Sequence, residues 1–431
     1  MVFACAAPAC LQKGESVGRC AACLLPETGT LKPLAVGFDA TMAGIFEAER
    51  TGVFHYQDQL LTESIAQAPD VQWTLFFSLP HPRHRSAISR FAEQVSASTP
   101  TRVVRGWMPL RLLRRLPLPV EAFTGSLDLF HSPAHLMLRS RAPGVVTIHD
   151  VAYLHDRSAA VPAAQLNHEE WRGWQLRRRF FAEIATQTAD TVQRAAHVIT
   201  VSEATRNAVL REFGLAADKV TAIPLGLRPG LHARPSLETA LAWRTRLGLP
   251  PRYLLYVGTL DPNKNLDTLL TGFAHYRRRG GHAKLLLAGR SVFYRRHLEV
   301  LARSLQLGES VRFLGRVDDA ALPVLYHGAD AVVMPSPLEG FGLPALEAMA
   351  CGTPVIVADA GALPEVVGSV ALRVAAEDAS AFGDAMLSLQ EDAALVVRLR
   401  EAGPVQARAF DWRRTAAQTL AVYRKVAGRS S

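Results

Sequence analysis

The sequence predicts an α/β protein of two doubly wound domains facing across a cleft, and three observations carry that prediction. From Leu34 onward, short apolar runs alternate with amphipathic stretches, the pattern of βαβ units around a parallel sheet. The pattern stops in a proline-rich segment and then starts again. At 431 residues the chain is also too long for one ordinary hydrophobic core.

Residues 1–33 precede the first strand pattern and read as a disordered or over-called extension. Four of the five cysteines, Cys5, Cys10, Cys20 and Cys23, lie there. Only the last two have zinc-knuckle spacing, and no histidine stands among the four, so a metal or redox module is the minor reading. Strands of the first domain, 34–225, are expected at Leu34–Ala40, Val71–Ser78, Leu127–His131, Val145–His149 and His197–Val201. Helical stretches cover Val53–Ala68 and Ala163–Ala195. Between Pro224 and Pro235 three prolines and two glycines resist both helix and sheet and mark a hinge. The second domain, 226–405, has strand candidates Tyr253–Gly258, Lys284–Ala288, Val311–Leu314, Ala331–Met334 and Val355–Ala358. In the segment 406–431 a last helix, near Asp411–Ala427, carries Trp412, Leu420, Val422 and Tyr423 on one side, as if crossing back to the first domain.

Composition narrows the function classes. With 49% apolar and 20% charged residues the chain is globular rather than disordered. Its longest apolar runs, such as Tyr253–Val257, fall far short of the ~20 residues that span a bilayer. The first thirty residues lack a basic start followed by an apolar stretch, so a cytoplasmic protein is expected. A net charge of +9 permits nucleic acid, an anionic membrane surface or a phosphorylated substrate.

The chemistry concentrates in Ala331–Asp359. Glu339 lies in a Gly-bearing loop after an apolar strand, and Glu347 stands eight residues on, inside the following helix. Carboxylates accept hydrogen bonds from sugar hydroxyls, whereas helix N-termini and glycine N–H groups attract phosphate. Gly340 and Gly342 let the backbone approach a ligand, Pro344 suits a first helical turn, and Gly352 closes the helix. Dipole complementation also accounts for Glu347, but not for Glu339 in a Gly-Phe-Gly loop. Lys264 follows the strand Tyr253–Gly258, where one ammonium can neutralise a diphosphate. Together these residues point to a nucleotide-sugar site.

Other motifs read more plainly. Asp318-Asp319 suits a helix cap better than a metal-bridging pair. Arg177-Arg178-Arg179 suits a solvated helix face, with no nucleic-acid motif beside it. Arg102–Val120 mixes arginines with leucines and Trp107. It reads as a short amphipathic helix on the first sheet, or as a surface grazing an anionic membrane. Cys351, in an apolar helix, reads as core.

The segment PSPLEGFGLPALEAMACGTPVIVADAGALPEV resembles the glutamate-x7-glutamate signature of retaining GT-B glycosyltransferases of family four. GTLDPNKNL resembles that family's phosphate-binding turn. Weaker echoes are Val36–Leu61, LFHSPAHLM, VVTIHDVAYL, ITVSEATRNAVL and the terminal FDWRRTAAQTLAVYRK, so the resemblance runs from Leu34 to Lys425. The sub-group is similar to bacterial mannosyltransferases of polysaccharide assembly. The resemblance implies a GT-B fold of two Rossmann-like domains. It implies that Glu339 contacts the donor sugar and Glu347 the ribose. Lys264 and the backbone of Phe341, Gly342 and Leu343 would hold the diphosphate, with Gly340 in the same loop. Gly52, after Thr51, would approach the donor from the first domain. His149 matches the position proposed to act near the anomeric centre, although a strand-end histidine satisfied by a neighbour fits equally. Relatives place an arginine at the position of Thr259 or of Asn263; here Arg290 is the remaining candidate for a second cation.

The expected function is a retaining, metal-independent hexosyltransferase without cofactor, taking mannose from GDP-mannose to a glycan or lipid-linked acceptor. Peripheral membrane contact through Arg102–Val120 is the second reading of that segment beside the packed helix, and no nucleic acid is expected. A GT-B epimerase or hydrolase, or a catalytically silent glycan-binding relative, would carry the same motifs.

Overall fold

The computed structural model of the protein describes residues 32–42, 52–78, 85–96, 101–161, 166–291 and 293–429. The cysteines of the N-terminal segment and Thr51 lie outside these residues. Two sheets, each wholly parallel, organise the chain from Leu34 onward.

The first sheet contains β1 (Leu34–Asp39), β2 (Val71–Phe77), β3 (Arg102–Arg105), β4 (Leu129–Ser132), β5 (Gly144–Ile148), β6 (His197–Thr200) and β7 (Val220–Ala222). Their spatial order is β3-β2-β1-β4-β5-β6-β7. The second contains β8 (Tyr253–Val257), β9 (Lys284–Ala288), β10 (Val311–Gly315), β11 (Ala331–Met334), β12 (Val355–Ala358) and β13 (Leu372–Val374), in the order β10-β9-β8-β11-β12-β13. Helices cover both faces, so the central strands are buried on both sides: every residue of β4, β5, β6, β11 and β12 is buried. In each sheet the order reverses once, between β1 and β4 and between β8 and β11. Loops on either side of a reversal diverge and leave a crevice at the carboxyl ends of the strands.

Three strands were not anticipated: β3, β7 and β13. Each has three or four residues and lies at a sheet edge, where one face and one flank need no apolar cover. The Arg102–Val120 segment opens with the unexpected strand β3 and then forms a short helix, Leu110–Arg115, six residues long and held between Pro109 and Pro117, as the prolines there allow. Its Trp107, Leu112 and Leu116 are exposed, while Met108 and Leu113 are buried beneath them. The expected strand at Leu127 starts two residues later, because Asp128 turns its carboxylate to the Ala35 N–H at 2.9 Å.

The linker after β7 is irregular up to Ser236, the cap of the next helix. The last helix, Trp412–Val426, lies on the helix Gly52–Gln67 of the first domain. Buried Tyr423 meets His131 Nδ1 at 2.5 Å. His131 Nε2 meets Thr147 at 2.9 Å, and Thr147 meets Tyr56 at 2.8 Å. This buried chain ties the end of the sequence to the centre of the first sheet.

Candidate active site at the facing sheet ends

The two second-domain loops at the switch point are stitched together. After β8 the chain forms a 3-10 turn, Pro262–Lys264, capped by Asp261, whose carboxylate accepts the Asn263 N–H at 2.9 Å. Asn265 follows in the left-handed region, and its Nδ2 donates to Pro335 O at 3.1 Å and Ala376 O at 2.7 Å. Those carbonyls follow β11 and β13, so the turn is anchored to its neighbours across the sheet end. Lys264 Nζ consequently reaches Glu339 Oε2 at 2.7 Å. Burial alone would lower the Lys264 pKa, but Glu339, with Asp150 and Asp261 behind it, more than offsets this and holds it above its ordinary value.

The Glu339 loop touches the first domain through its backbone. A Cβ on Gly340 would lie 1.9 Å from His149 O, so only glycine fits. Ser202 and Thr205, at the head of the helix Glu203–Phe213, donate to Gly340 O at 2.7 and 3.2 Å. Gly342, at φ +98°, turns the chain into the helix Leu343–Ala350, with proline in its first turn. Phe341 buries its ring edge-on to Phe410, leaving its backbone at the helix head. Gly52 starts its helix opposite Leu343, 3.7 Å from the Leu343 methyl by the same Cβ measure.

On the first-domain side, His149 directly follows β5. Its Nε2 lies 2.9 Å from Pro133 O, and since a carbonyl only accepts, Nε2–H is the donor and Nδ1 keeps the lone pair. Burial, helped by nearby His135, lowers its pKa to about 4. The imidazole is therefore neutral at pH 7. Tyr56 packs edge-on to it at 4.8 Å. Asp150 follows, and its charge favours the protonated forms of His135, His149 and Lys264 alike.

Several expectations change on contact with this geometry. Asn263, where relatives carry arginine, gives both polar ends to the first domain. Its Oδ1 accepts the Arg157 N–H at 3.0 Å and its Nδ2 donates to Ala152 O at 2.8 Å. Arg177 is not a solvated residue of its helix. Its side chain is 8% exposed and forks onto Asp261 at 2.7 and 2.8 Å, with Asp156 on its other edge. Asp318 caps its turn by accepting the Ala320 N–H, but Asp319 instead pairs with Arg228 and His55, each at 3.4 Å. Thr259 and Arg290 are exposed at the ends of β8 and β9; the Arg290 carbonyl accepts the Leu260 N–H. Glu347 lies deeper than a surface ligand. It is 2% exposed, with Tyr326 donating to Oε2 at 2.8 Å and Arg228 Nη2 3.0 Å from Oε1. Cys351 is core, its thiol pushed up to about 12 by burial and Glu347.

The structure thus brings Lys264, Glu339, Gly340 and His149 together and places Glu347 one layer behind. Sequence reasoning missed Asp150, His135, Arg177 and Arg228. The first two lie inside the quoted VVTIHDVAYL and LFHSPAHLM segments, whereas nothing local to the arginines announces their partners. Among the described residues no three His, Cys, Asp or Glu side chains gather as metal ligands would, and no helix is long and apolar enough to cross a membrane.

Residues 240–406 match the family model described as "Glycosyl transferases group 1", and residues 68–230 match "Glycosyltransferase Family 4". The chain is 28% identical over 402 residues to O-antigen chain mannosyltransferase B of Escherichia coli, which covers 87% of this chain and 96% of that protein. It is 31% identical over 300 residues to glycogen synthase of Mycobacterium tuberculosis, covering 66% of this chain and 69% of that one. Among solved structures, sucrose-phosphate synthase from Thermosynechococcus elongatus superposes with a TM-score of 0.65 at 25% identity, over 92% of this chain and 100% of its own.

Proposed function

The chain belongs to the group 1 and family 4 glycosyltransferases of GT-B fold, and from that premise we propose that it moves a hexose, with retention, from a nucleotide sugar to a glycan or lipid-linked acceptor. Mannose from GDP-mannose is the donor we favour. Support comes from the mannosyltransferase that aligns along 96% of its own length, against a glycogen synthase that aligns along 69%.

The observation that carries the reading is the Lys264–Glu339 pair at the β8/β11 switch point, with the His149 carbonyl packed against the adjoining Gly340. A sugar nucleotide brings its own leaving group, so the protein has to stabilise the departing diphosphate and hold the acceptor hydroxyl in place. On donor binding Lys264 exchanges Glu339 for the diphosphate, and the helix head at Phe341–Leu343 adds its N–H groups. Glu339, released, accepts hydrogen bonds from the sugar, and Glu347 from the ribose. His149, neutral with Nδ1 open, stands by the anomeric centre. Charge neutralisation by lysine and helix makes the step metal-independent in this reading. The exposed Trp107, Leu112 and Leu116, with Arg115 beside them, would rest on the anionic inner face of a membrane carrying the acceptor.

The test is a donor screen followed by product analysis. GDP-, UDP- and ADP-sugars are ranked by thermal stabilisation, where a ligand at a hundred times its Kd adds about 2.7 kcal/mol. Transfer is then followed with the best donor, and the new linkage assigned by NMR. An α-linked product from an α-linked donor supports the reading. An epimerised or merely hydrolysed nucleotide sugar, with no transfer, overturns it.

A further inference from the structure

Arg228 lies on the proline-rich linker between the two sheets. Its backbone is held in place. Leu227 N–H donates to Phe410 O at 3.1 Å, and a Cβ on Gly226 would lie 2.3 Å from Trp412 N, so the linker is pressed against the head of the last helix. From that fixed point the guanidinium reaches Glu347 at 3.0 Å and Asp319 at 3.4 Å. Its side chain is 20% exposed and that of Glu347 only 3%. Tyr326 is the other group bonded to the carboxylate, at 2.8 Å, and it carries no charge to offset. A carboxylate taken this far from water is costly unless a cation accompanies it, and Arg228 is the cation in contact.

We propose that Arg228 is the positioning residue for the donor's nucleoside, holding the Glu347 carboxylate oriented so that it grips the ribose hydroxyls. The proposal rests on the reading of Glu347 as the ribose contact. A carboxylate offers about four lone-pair sites; Tyr326 takes one on Oε2, and Arg228 lies against Oε1 as an ion pair without a hydrogen bond to it, so lone pairs remain for a vicinal diol. Removing Arg228 therefore damages recognition of the ribose in particular. A residue that merely glued the linker to the helix would, when removed, weaken every nucleotide by the same factor.

Wild type, Arg228→Met and Arg228→Lys are titrated calorimetrically with GDP, UDP and ADP and with the 2′-deoxy form of each. Wild type is expected to bind its preferred ribonucleotide about tenfold or more tightly than the deoxy form, the size of one charge-assisted hydrogen bond. Arg228→Met should bring that ratio close to one by weakening the ribonucleotide. Arg228→Lys, which keeps the charge but cannot span Glu347 and Asp319 with separate nitrogens on a planar group, should give an intermediate ratio, and it carries the test if the methionine variant does not fold. A ratio unchanged in the variants, whatever the overall loss, overturns the proposal. So does a wild type that binds ribo and deoxy forms equally. Failure of wild type to bind any of the three diphosphates overturns the donor reading itself, and the proposal with it.

Discussion

Replacing Arg177 with methionine should loosen the donor loop and destabilise the protein together. The guanidinium lies 2.7 and 2.8 Å from the two oxygens of Asp261 and also contacts Asp156, with 8% of its side chain exposed. Breaking a fully buried pair typically costs ~3–5 kcal/mol, because the remaining charge is stranded. Here the aspartates keep 23% and 24% exposure, so water recovers part of their solvation and the cost should fall to about 2–3 kcal/mol. At roughly 2–4 °C per kcal/mol for a domain of this size, calorimetry should show a Tm lowered by about 4–12 °C. Asp261 also caps the turn that ends in Lys264, so nucleotide affinity should fall in the same variant. Combining Arg177→Met with Asp261→Asn should give an effect smaller than the sum by at least ~1 kcal/mol. The pH dependence carries a sign. Burial alone would raise the Asp156 pKa, but the Ser158 hydrogen bonds and Arg177 bring it below the ordinary value. The stabilisation is then present above the ordinary carboxylate pKa and lost as pH falls through the folded value; the variant should lose less stability on acidification. A Tm within a degree or so of wild type would refute the argument.

Gly340→Ala should weaken nucleotide binding and cut turnover by about 100-fold, because its methyl forces the loop from His149 O and displaces both the Phe341–Leu343 helix head and Glu339; calorimetric titration and steady-state kinetics measure the two losses, and wild-type values for both would dismiss the argument. Lys264→Ala should weaken GDP about 30-fold, ~2 kcal/mol, and GMP much less, since the lysine is assigned to the diphosphate; equal losses for both would dismiss that assignment. Tyr423→Phe should cost about 1–3 kcal/mol in thermal stability by leaving His131 Nδ1 unpartnered in the core. Burial lowers the pKa of His131 to about 3 and of His149 and His197 to about 4, so the unfolded chain binds protons that the native one refuses. Stability should therefore decline as pH drops from about 6.5 towards 4, and rate profiles above pH 5 should show no titration of His149; calorimetry and kcat/KM against pH check both.

Much of the architecture was legible because its signals are local. The runs Tyr253–Val257, Lys284–Ala288, Ala331–Met334 and Val355–Ala358 are strands at those residues, buried along most or all of their length and so, apart from Lys284 at one end, apolar throughout. The Gly342, Pro344 and Gly352 punctuation of the Leu343–Ala350 helix was equally plain, since cap geometry depends on a few adjacent residues. The strands β3, β7 and β13 were not legible. An edge strand is specified by one neighbour's backbone, and the sequence RVVR says little by itself.

For the site the division is sharper. Residue types and spacing determined the fold class and the set of groups at the β8 and β11 loops, including Lys264, Glu339 and Glu347, and the resemblance of those segments to known motifs pointed to the family. Only the tertiary structure decided how those groups are used by one another. It showed that Lys264 and Glu339 meet, that Asn263 is committed to the first domain, and that Arg177 is a clamp rather than a wet surface residue. It also showed that Glu347 lies behind the site in the company of Arg228, 119 positions before it in the chain (347 − 228). The physical reason is range. Backbone propensity and turn chemistry act over a handful of residues, whereas the charge of a side chain is compensated by whatever the folded chain sets beside it.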